Sequence, residues 1–383
     1  MNALSLIIMA AGESTRFLGN DELQIRQKKQ WLWLGETPLW KYVAHSLAKS
    51  APFAEVIITA SQEEARYMQK QTDFKVVIGG ASRQESLQNA LKEVQTPWVL
   101  VSDVARFDVP SDVVGRVLEH LGEADCVAPF LGVSDTVSYQ GKYLEREAIK
   151  LIQTPQLSRV EALRAALKKG NFTDESSAIS ANSGKVLLVQ GSERLKKLTN
   201  PEEITLLRGF NPPYSGTYMG SGFDVHAFKE GDSLKICGVK IPFERAFKAH
   251  SDGDVGIHAL IDAILGAMGA GDIGEWFPDH SPEYAGINSK ILLQRVMNFA
   301  HHVGFELVNA DITIMAQAPK LSPYKAMMEQ ELAGILGVER RKVSVKATTT
   351  ESLGFTGRRE GIAASASVGM RLKDWTKYAY LNR

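Results

Sequence analysis

"LSLIIMAAGESTRF", residues 4–17, is the stretch from which the fold is read. A near-continuous apolar run enters a turn of small residues, and a run without polar alternation marks a strand buried on both faces. Further runs of this kind stand at "EVIITA" (55–60), "KVVIGG" (75–80), "WVLVSD" (98–103), "DCVAPF" (125–130) and "KVLLVQG" (185–191). Between them lie amphipathic stretches such as "PLWKYVAHSLAKS" (38–50) and "SRQESLQNALKEV" (82–94). Strands alternating with helices predict an α/β domain with a mostly parallel sheet covered on both faces. Ser82 and Glu85 form an S-x-x-E capping box that starts the second helix just after Gly79-Gly80.

The chain has 383 residues, more than the roughly 250–300 that a single core holds, so two domains are expected. "GFNPPYSG" (209–216) breaks any regular element and marks the boundary. The expected division is a domain at 1–210, a linker at 211–216 and a domain at 217–383. The second half predicts helices at about 252–269, 288–303 and 322–336 and strands at 306–317, 342–349 and 361–372, an α+β domain. Its histidines are denser: His45 and His120 precede residue 220, whereas His226, His250, His258 and His280 follow closely.

Lysine plus arginine (44) balances aspartate plus glutamate (44), which removes any global electrostatic reason for a nucleic-acid or anionic-membrane partner. Cys126 and Cys237 lie in different halves without CxxC spacing, so neither a disulfide framework nor a thiolate metal site is suggested. The opening residues lack a basic n-region and no window approaches 18 apolar residues, so the expectation is a cytoplasmic protein without a membrane span.

The chemistry starts at the first turn. Small side chains there let backbone N–H groups approach a polyphosphate, and Arg16 can neutralise it; the same residues also suit a tight turn without a ligand. Lys29 in "KKQWLWLG" supplies a second cation or is a solvated surface lysine. Asp103 ends a buried strand where open α/β sheets place ligands, and it either holds Mg²⁺ with Arg106 nearby or caps the next helix. In "GFDVHAF" (222–228), Asp224 and His226 are two apart and share one strand face. "SDGD" then enters a helix in which Asp254, His258 and Asp262 follow at i, i+4 and i+8, so His258 can complete a set of three. Asp-His-His with an open fourth position suits Zn²⁺, the alternative being a histidine satisfied within the core. "GDIGEWFPD" (271–279) adds Asp272 and Asp279 from a loop. "VKATTTESLGFTGR" (345–358) puts threonines, Glu351 and Arg358 at a strand end, either for a metal-chelated diphosphate or as a plain Thr-rich edge.

Residues 1–208 resemble the 2-C-methyl-D-erythritol 4-phosphate cytidylyltransferase family through "AAGESTR", "KKQ", "GGASRQES", "SDVAR", "SDT", "REAIKLIQTPQ", "TDESSA" and "LKKLTNPEE". The resemblance implies a Rossmann-like nucleotidyltransferase in which Ala10, Ala11, Gly12 and Ser14 cradle CTP, with Gly80 and Ser86 near the cytosine. Arg16 and Lys29 would act at the α-phosphate, Asp103 would bind Mg²⁺ or Mn²⁺, and Thr136, Arg146 and Lys197 would hold methylerythritol phosphate. Two departures stand out: Ser14 occupies a usual glycine position, and the segment from Arg16 to Lys29 is several residues longer than usual.

Residues 217–375 resemble the 2-C-methyl-D-erythritol 2,4-cyclodiphosphate synthase family through "GFDVHAF", "AHSDGDVGIHAL", "GDIGEWFPD", "IMAQAPKL" and "VKATTTESLGFTGR". This implies Zn²⁺ on Asp224, His226 and His258, and a second divalent ion, Mg²⁺ or Mn²⁺, on Glu351. His250 and Ser251 would touch substrate, as would Asp272, Gly274, Phe277 and Asp279 around the erythritol portion. Ala316, Pro319, Lys320 and Leu321 would line a cytidine pocket; Thr348, catalytic Thr349, Phe355 and Arg358 would serve the phosphates and substrate. Ser281 replaces one acidic position of the family's loop. The family's homotrimeric assembly, with sites between subunits, implies a trimer of C-terminal domains, and dimerisation of the N-terminal family extends this to a hexamer. Together the resemblances imply two non-consecutive steps toward isoprenoid precursors, with small-molecule substrates; no GxxxxGK[ST] segment supplies the intervening kinase.

Overall fold

The computed structural model describes residues 4–18, 26–278 and 280–380. It divides into two compact units, Met1–Pro212 with Trp375–Arg383, and Pro213–Asp374. Among the described residues no helix is long and apolar enough to cross a membrane.

In the first unit, β1 (Leu4–Met9) is buried at all six positions, which is why its sequence does not alternate. It lies parallel between β2 (Glu55–Ala60) and β4 (Trp98–Asp103), Ile7 standing beside Ile57 and Val101. β3 (Lys75–Ile78) extends the parallel set beyond β2. On the other side come β5 (Cys126–Gly132), β6 (Lys150–Ile152), β7 (Gln156–Arg159) and β8 (Val186–Gln190). The sheet order is β6-β5-β7-β4-β1-β2-β3, with β8 beside β5. β8 is parallel to β5, whereas β6 and β7 run antiparallel to their neighbours. These two strands are only three and four residues long, too short to leave a periodic signal.

The helix α1 (Arg83–Glu93) begins as expected, the Ser82 hydroxyl accepting the Glu85 N–H at 3.1 Å. The Glu85 carboxylate accepts instead from Ala81 N–H at 2.7 Å, so the reciprocal bond forms one residue earlier than the expected box. The tail also departs from the expected second domain at 217–383: the turn Trp375–Tyr380 groups with the first unit. There the buried Trp375 indole donates to the Trp33 carbonyl at 2.7 Å.

The second unit has a five-stranded sheet of β9 (Thr217–Glu230), β10 (Arg245–Phe247), β11 (Phe305–Met315), β12 (Val343–Thr348) and β13 (Gly361–Leu372), ordered β10-β9-β13-β11-β12. Only the β11/β12 pair is parallel. The buried helix α2 (Val255–Met268) packs on β9 and β13. Two glycines set that approach. A Cβ at Gly220 would come 2.0 Å from the Ala263 carbonyl oxygen, and one at Gly222 would come 2.1 Å from that of Ala259. Strand and helix backbones therefore touch, and the residues of the same strand face, Asp224 and His226, are brought beneath α2. On the opposite face Met219, Phe223 and Val225 are exposed.

Candidate active sites

In the first unit the phosphate-type turn follows β1 directly, its Ala10 N–H held by the Thr59 hydroxyl at 3.0 Å. The Gly79-Gly80 turn lies against it: a Cβ at Gly79 would stand 2.6 Å from the Ala11 Cβ and 2.7 Å from the Ser86 hydroxyl. Gly80 N–H donates to that hydroxyl at 3.0 Å. Ala10, Ala11, Gly80 and Ser86 are thus gathered from the ends of β1 and β3 and the start of α1.

Asp103, at the end of β4, is nearly buried and does not cap the next helix, which spans Ser111–Glu119. Arg83 Nε reaches its Oδ1 at 2.9 Å and Lys197 Nζ its Oδ2 at 3.0 Å. Burial alone would raise the carboxyl, but the Arg83 and Lys197 charges hold it well below the usual carboxylate range. Arg83 also spans to Glu175 Oε1 at 2.9 Å, a fully buried acid that burial pushes upward. Burial, then Lys197 and Arg16, lower the Lys29 ammonium to about 8. Three cations around one ionised carboxylate suit a polyphosphate carrying a divalent ion. Arg106 turns away to donate to the Leu195 carbonyl.

Arg83 and Glu175 were not among the candidates, although both lie inside quoted motifs; their partnership, 92 residues apart, has no local signal. Thr136 and Arg146 are exposed around the hairpin of Val137–Tyr139 and Lys142–Leu144. Arg146 bonds Ser134 and Glu147 there. Among the described residues no hydrogen bond or ion pair joins either residue to the Asp103 cluster.

In the second unit Asp224 Oδ2 lies 3.1 Å from His226 Nε2 and 3.1 Å from His258 Nδ1, and the two ring nitrogens are 3.2 Å apart. Donors at ~2.0–2.2 Å around tetrahedral Zn²⁺ lie roughly 3.3–3.5 Å from one another, so this near-equilateral triangle fits such an ion with a small expansion. The opposite nitrogen of His258, Nε2, meets the hydroxyls of Ser251 at 3.1 Å and Ser289 at 3.0 Å. Ser289 in turn donates to Asp252 Oδ1 at 2.5 Å. A proton held at Nε2 leaves Nδ1 free as the donor toward the triangle. Burial would raise Asp224, but His226 and His258 hold it well below the carboxylate range.

The other two acids of the helix face point elsewhere. Asp254 is fully buried and accepts the N–H groups of Cys237, Gly238 and Ile257 at 2.7, 2.6 and 3.0 Å. Asp262 accepts from Ile273 N–H at 2.7 Å.

The triangle lies on one wall of a cavity of about 600 Å³, where His250, Ser251, Gly274 and Phe277 also stand. Lys248 and Tyr284 line it too and were missed, an exposed lysine beside "AHSDGD" being indistinguishable in sequence from a surface charge. Asp272 is not in that wall; its carboxylate accepts Glu275 N–H at 2.8 Å and starts the turn Ile273–Trp276. Asp279 lies outside the described residues.

The remaining candidates form a separate group at the far edge of the sheet. Ala316 N–H donates to the Thr348 carbonyl at 3.0 Å, and Ser352 N–H to Gln317 at 3.4 Å. This places Pro319, Lys320 and buried Leu321 on the segment following β11, beside the loop following β12. In that loop Thr349 Oγ1 donates to Glu351 at 2.9 Å, Phe355 is exposed, and Arg358 pairs with Glu360 at 2.8 Å. Val225, Ala363, Met315 and Thr348 stand in register across β9, β13, β11 and β12. Three strand spacings of ~4.8 Å separate this group from the triangle by about 14 Å within one chain.

Comparison with known proteins places both halves. Residues 4–209 match the 2-C-methyl-D-erythritol 4-phosphate cytidylyltransferase family and residues 217–371 the YgbB family. The protein named bifunctional enzyme IspD/IspF of Wolinella succinogenes is 66% identical over 383 residues, covering 100% of both chains. Its namesake of Campylobacter fetus subsp. fetus is 50% identical, covering 97% of this chain and 98% of that one. The solved structure of the bifunctional IspDF from Campylobacter jejuni matches with a TM-score of 0.83 at 44% identity, covering 97% of this chain and 99% of that one.

Proposed function

The chain belongs to the bifunctional IspD/IspF enzymes, and on that premise we propose how its side chains divide two reactions between the two units. It transfers CMP from CTP to 2-C-methyl-D-erythritol 4-phosphate, releasing pyrophosphate. It also cyclises 4-diphosphocytidyl-2-C-methyl-D-erythritol 2-phosphate to the 2,4-cyclodiphosphate, releasing CMP.

The first reaction we assign to residues 1–210. The turn of Ala10, Ala11, Gly12 and Ser14 presents amides to the CTP phosphates, with Gly80 and Ser86 at the base. Arg16 and Lys29 face the α-phosphate, Asp103 would hold Mg²⁺ or Mn²⁺, and Lys197, Thr136 and Arg146 hold the attacking phosphate. In-line attack by a phosphate needs aligned reactants and placed positive charge more than a strong base. The cations packed around Asp103 support this assignment.

The second reaction we assign to residues 217–383, in which Asp224, His226 and His258 would hold Zn²⁺ and Glu351 a second divalent ion. When bound, such ions polarise phosphate oxygens and neutralise developing charge. His250, Ser251, Gly274, Phe277, Asp272 and Asp279 orient the erythritol portion. Ala316, Pro319, Lys320 and Leu321 enclose the cytidine; Thr348, Thr349, Phe355 and Arg358 hold the diphosphate arm. The about 14 Å between these groups supports a trimer in which one copy's Thr348–Arg358 loop completes its neighbour's cavity. The exposed Met219, Phe223 and Val225 stripe supports a covered face there. Exposed Tyr139 and Tyr143 on the first unit's hairpin support a further contact that would make a hexamer. Two buried, unpaired cysteines suit the cytoplasm.

The observation that carries the assignment is the 3.1–3.2 Å triangle of Asp224, His226 and His258. Replacing His226→Gln should abolish CMP release and spare pyrophosphate release, and Asp103→Asn should do the reverse. An Asp103→Asn enzyme with undiminished pyrophosphate release, or a His226→Gln enzyme that loses both activities while folded, would overturn it.

A further inference from the structure

Ser14 sits at φ 56°, a left-handed backbone that glycine adopts freely and a residue with a Cβ adopts at a cost. Its hydroxyl is where that cost finds a return. The residue is buried, and its Oγ donates to Gln30 Oε1 at 2.9 Å while standing 3.3 Å from the Lys29 N–H, which it accepts. Gln30 Nε2 donates back across the same gap to the Gly12 carbonyl at 2.9 Å and to Glu64 at 3.3 Å. Beside them the buried Lys28 ammonium joins Glu13 at 2.6 Å and Glu64 at 3.0 Å. Residues 12–14 and 28–30 are therefore stitched together by side chains, and the bond nearest Lys29 is the one Ser14 makes.

We propose that Ser14 is a positioning residue for the cytidylyl transfer: its hydroxyl clamps the 28–30 segment onto the phosphate-binding turn and so holds the Lys29 ammonium where the α-phosphate reacts. The proposal rests on the assignment of Lys29 to that phosphate and adds the device that places it. A long side chain on an untethered segment samples many positions, and misplacement by about 1 Å can cost on the order of 100-fold in rate. The clamp removes that freedom at its root, the Lys29 main chain, and leaves the nucleotide's amide cradle as it is.

Ser14→Gly separates positioning from structure, because it relieves the left-handed backbone while deleting the hydroxyl. In the full-length enzyme with CTP, Mg²⁺ and methylerythritol phosphate, the expected result is an unchanged or raised Tm. The kcat for pyrophosphate release should fall about 10-fold, KM for CTP should stay within about twofold, and CMP release by the second unit should not change. Ser14→Ala, which keeps the strained backbone, should lose both kcat and Tm. Wild-type kcat in Ser14→Gly overturns the proposal, as does a loss confined to KM or one that tracks a fall in Tm. Lys29→Met tests the premise separately. If it retains wild-type pyrophosphate release, the assignment of Lys29 fails; if it loses release while Ser14→Gly does not, only the clamp is refuted.

Discussion

Replacing Arg83→Met should destabilise the first unit by an amount that depends steeply on pH, and the structure fixes both the size and the slope. Arg83 Nη1 pairs with Glu175 Oε1 at 2.9 Å, and Glu175 is fully buried. No other cation lies within ion-pair distance of Glu175 among the described residues. Asp103 would keep Lys197 at 3.0 Å and remain ionised. The orphan is therefore Glu175, which can stay buried and charged or take up a proton. Breaking a buried pair costs about 3–5 kcal/mol. Protonating an acid of ordinary pKa about 4.5 at pH 7 costs roughly 3.4 kcal/mol, which caps the penalty near that value. Burial already raises Glu175 in the wild type, and loss of the Arg83 charge raises it further, so the variant's folded state holds the proton over a wider pH range and its deficit shrinks as pH falls toward 4.5. At pH 5 the same cost is only about 0.8 kcal/mol. Denaturant unfolding followed by tryptophan fluorescence reads the right unit, since Trp31, Trp33, Trp40, Trp98 and Trp375 lie in it and only Trp276 in the other. A loss of up to ~3 kcal/mol at pH 7 that is smaller at pH 5 is expected. A loss below about 1 kcal/mol at pH 7, or one equal at both pH values, would show that Glu175 does not depend on Arg83 for its charge.

Three further perturbations probe the two sites. Ser289→Ala removes a hydroxyl from His258 Nε2 and should weaken metal affinity by ~10–100-fold in chelator competition. Gly222→Ala would drive a Cβ to 2.1 Å from the Ala259 carbonyl oxygen and 2.8 Å from Ala263 N. Lifting α2 off β9 should then cost ~1–3 kcal/mol and spread the metal triangle, with CMP release falling at least about tenfold and pyrophosphate release unchanged. Because burial, Lys197 and Arg16 lower Lys29 to about 8, its charge is present below that pH and lost above it. The kcat/KM for pyrophosphate release, which reports the free enzyme, should therefore decline as pH rises through about 8, and Lys29→Arg should abolish that decline.

Buried strands such as β1 and β4 announce themselves because apolar residues follow one another without polar alternation, Ser5, Ser102 and Asp103 being the exceptions. The candidate triad was legible for a related reason: Asp224 and His226 are two apart in one strand, and only the arrival of His258 needed the fold. That arrival depends on Gly220 and Gly222 allowing two backbones to touch, a condition visible in sequence only as small residues. Arg83 and Glu175 escaped because each resembles a surface charge until β3, β4 and the Glu175–Ala181 helix are assembled around it. Trp375 escaped for the same reason on a larger scale, its partner Trp33 lying 342 residues earlier. A chain cut near residue 210 would thus deprive the first unit of a buried tryptophan. Asp254 illustrates the opposite error: its i, i+4 relation to His258 suggested a shared face, but a helix N-terminus claimed its carboxylate.

Asp224, His226 and His258 are proposed to make one metal centre that serves the second reaction alone. Its most direct test is calorimetric titration of chelator-treated full-length enzyme with Zn²⁺, alongside both activities, for the wild type and His258→Gln. One tight Zn²⁺ site per chain is expected, with CMP release returning in proportion to its filling and pyrophosphate release in Mg²⁺ indifferent to it; His258→Gln should lose the site and CMP release together. Tight binding and normal CMP release in His258→Gln, or pyrophosphate release that rises and falls with Zn²⁺, would show that this triad is not a metal centre dedicated to the second reaction.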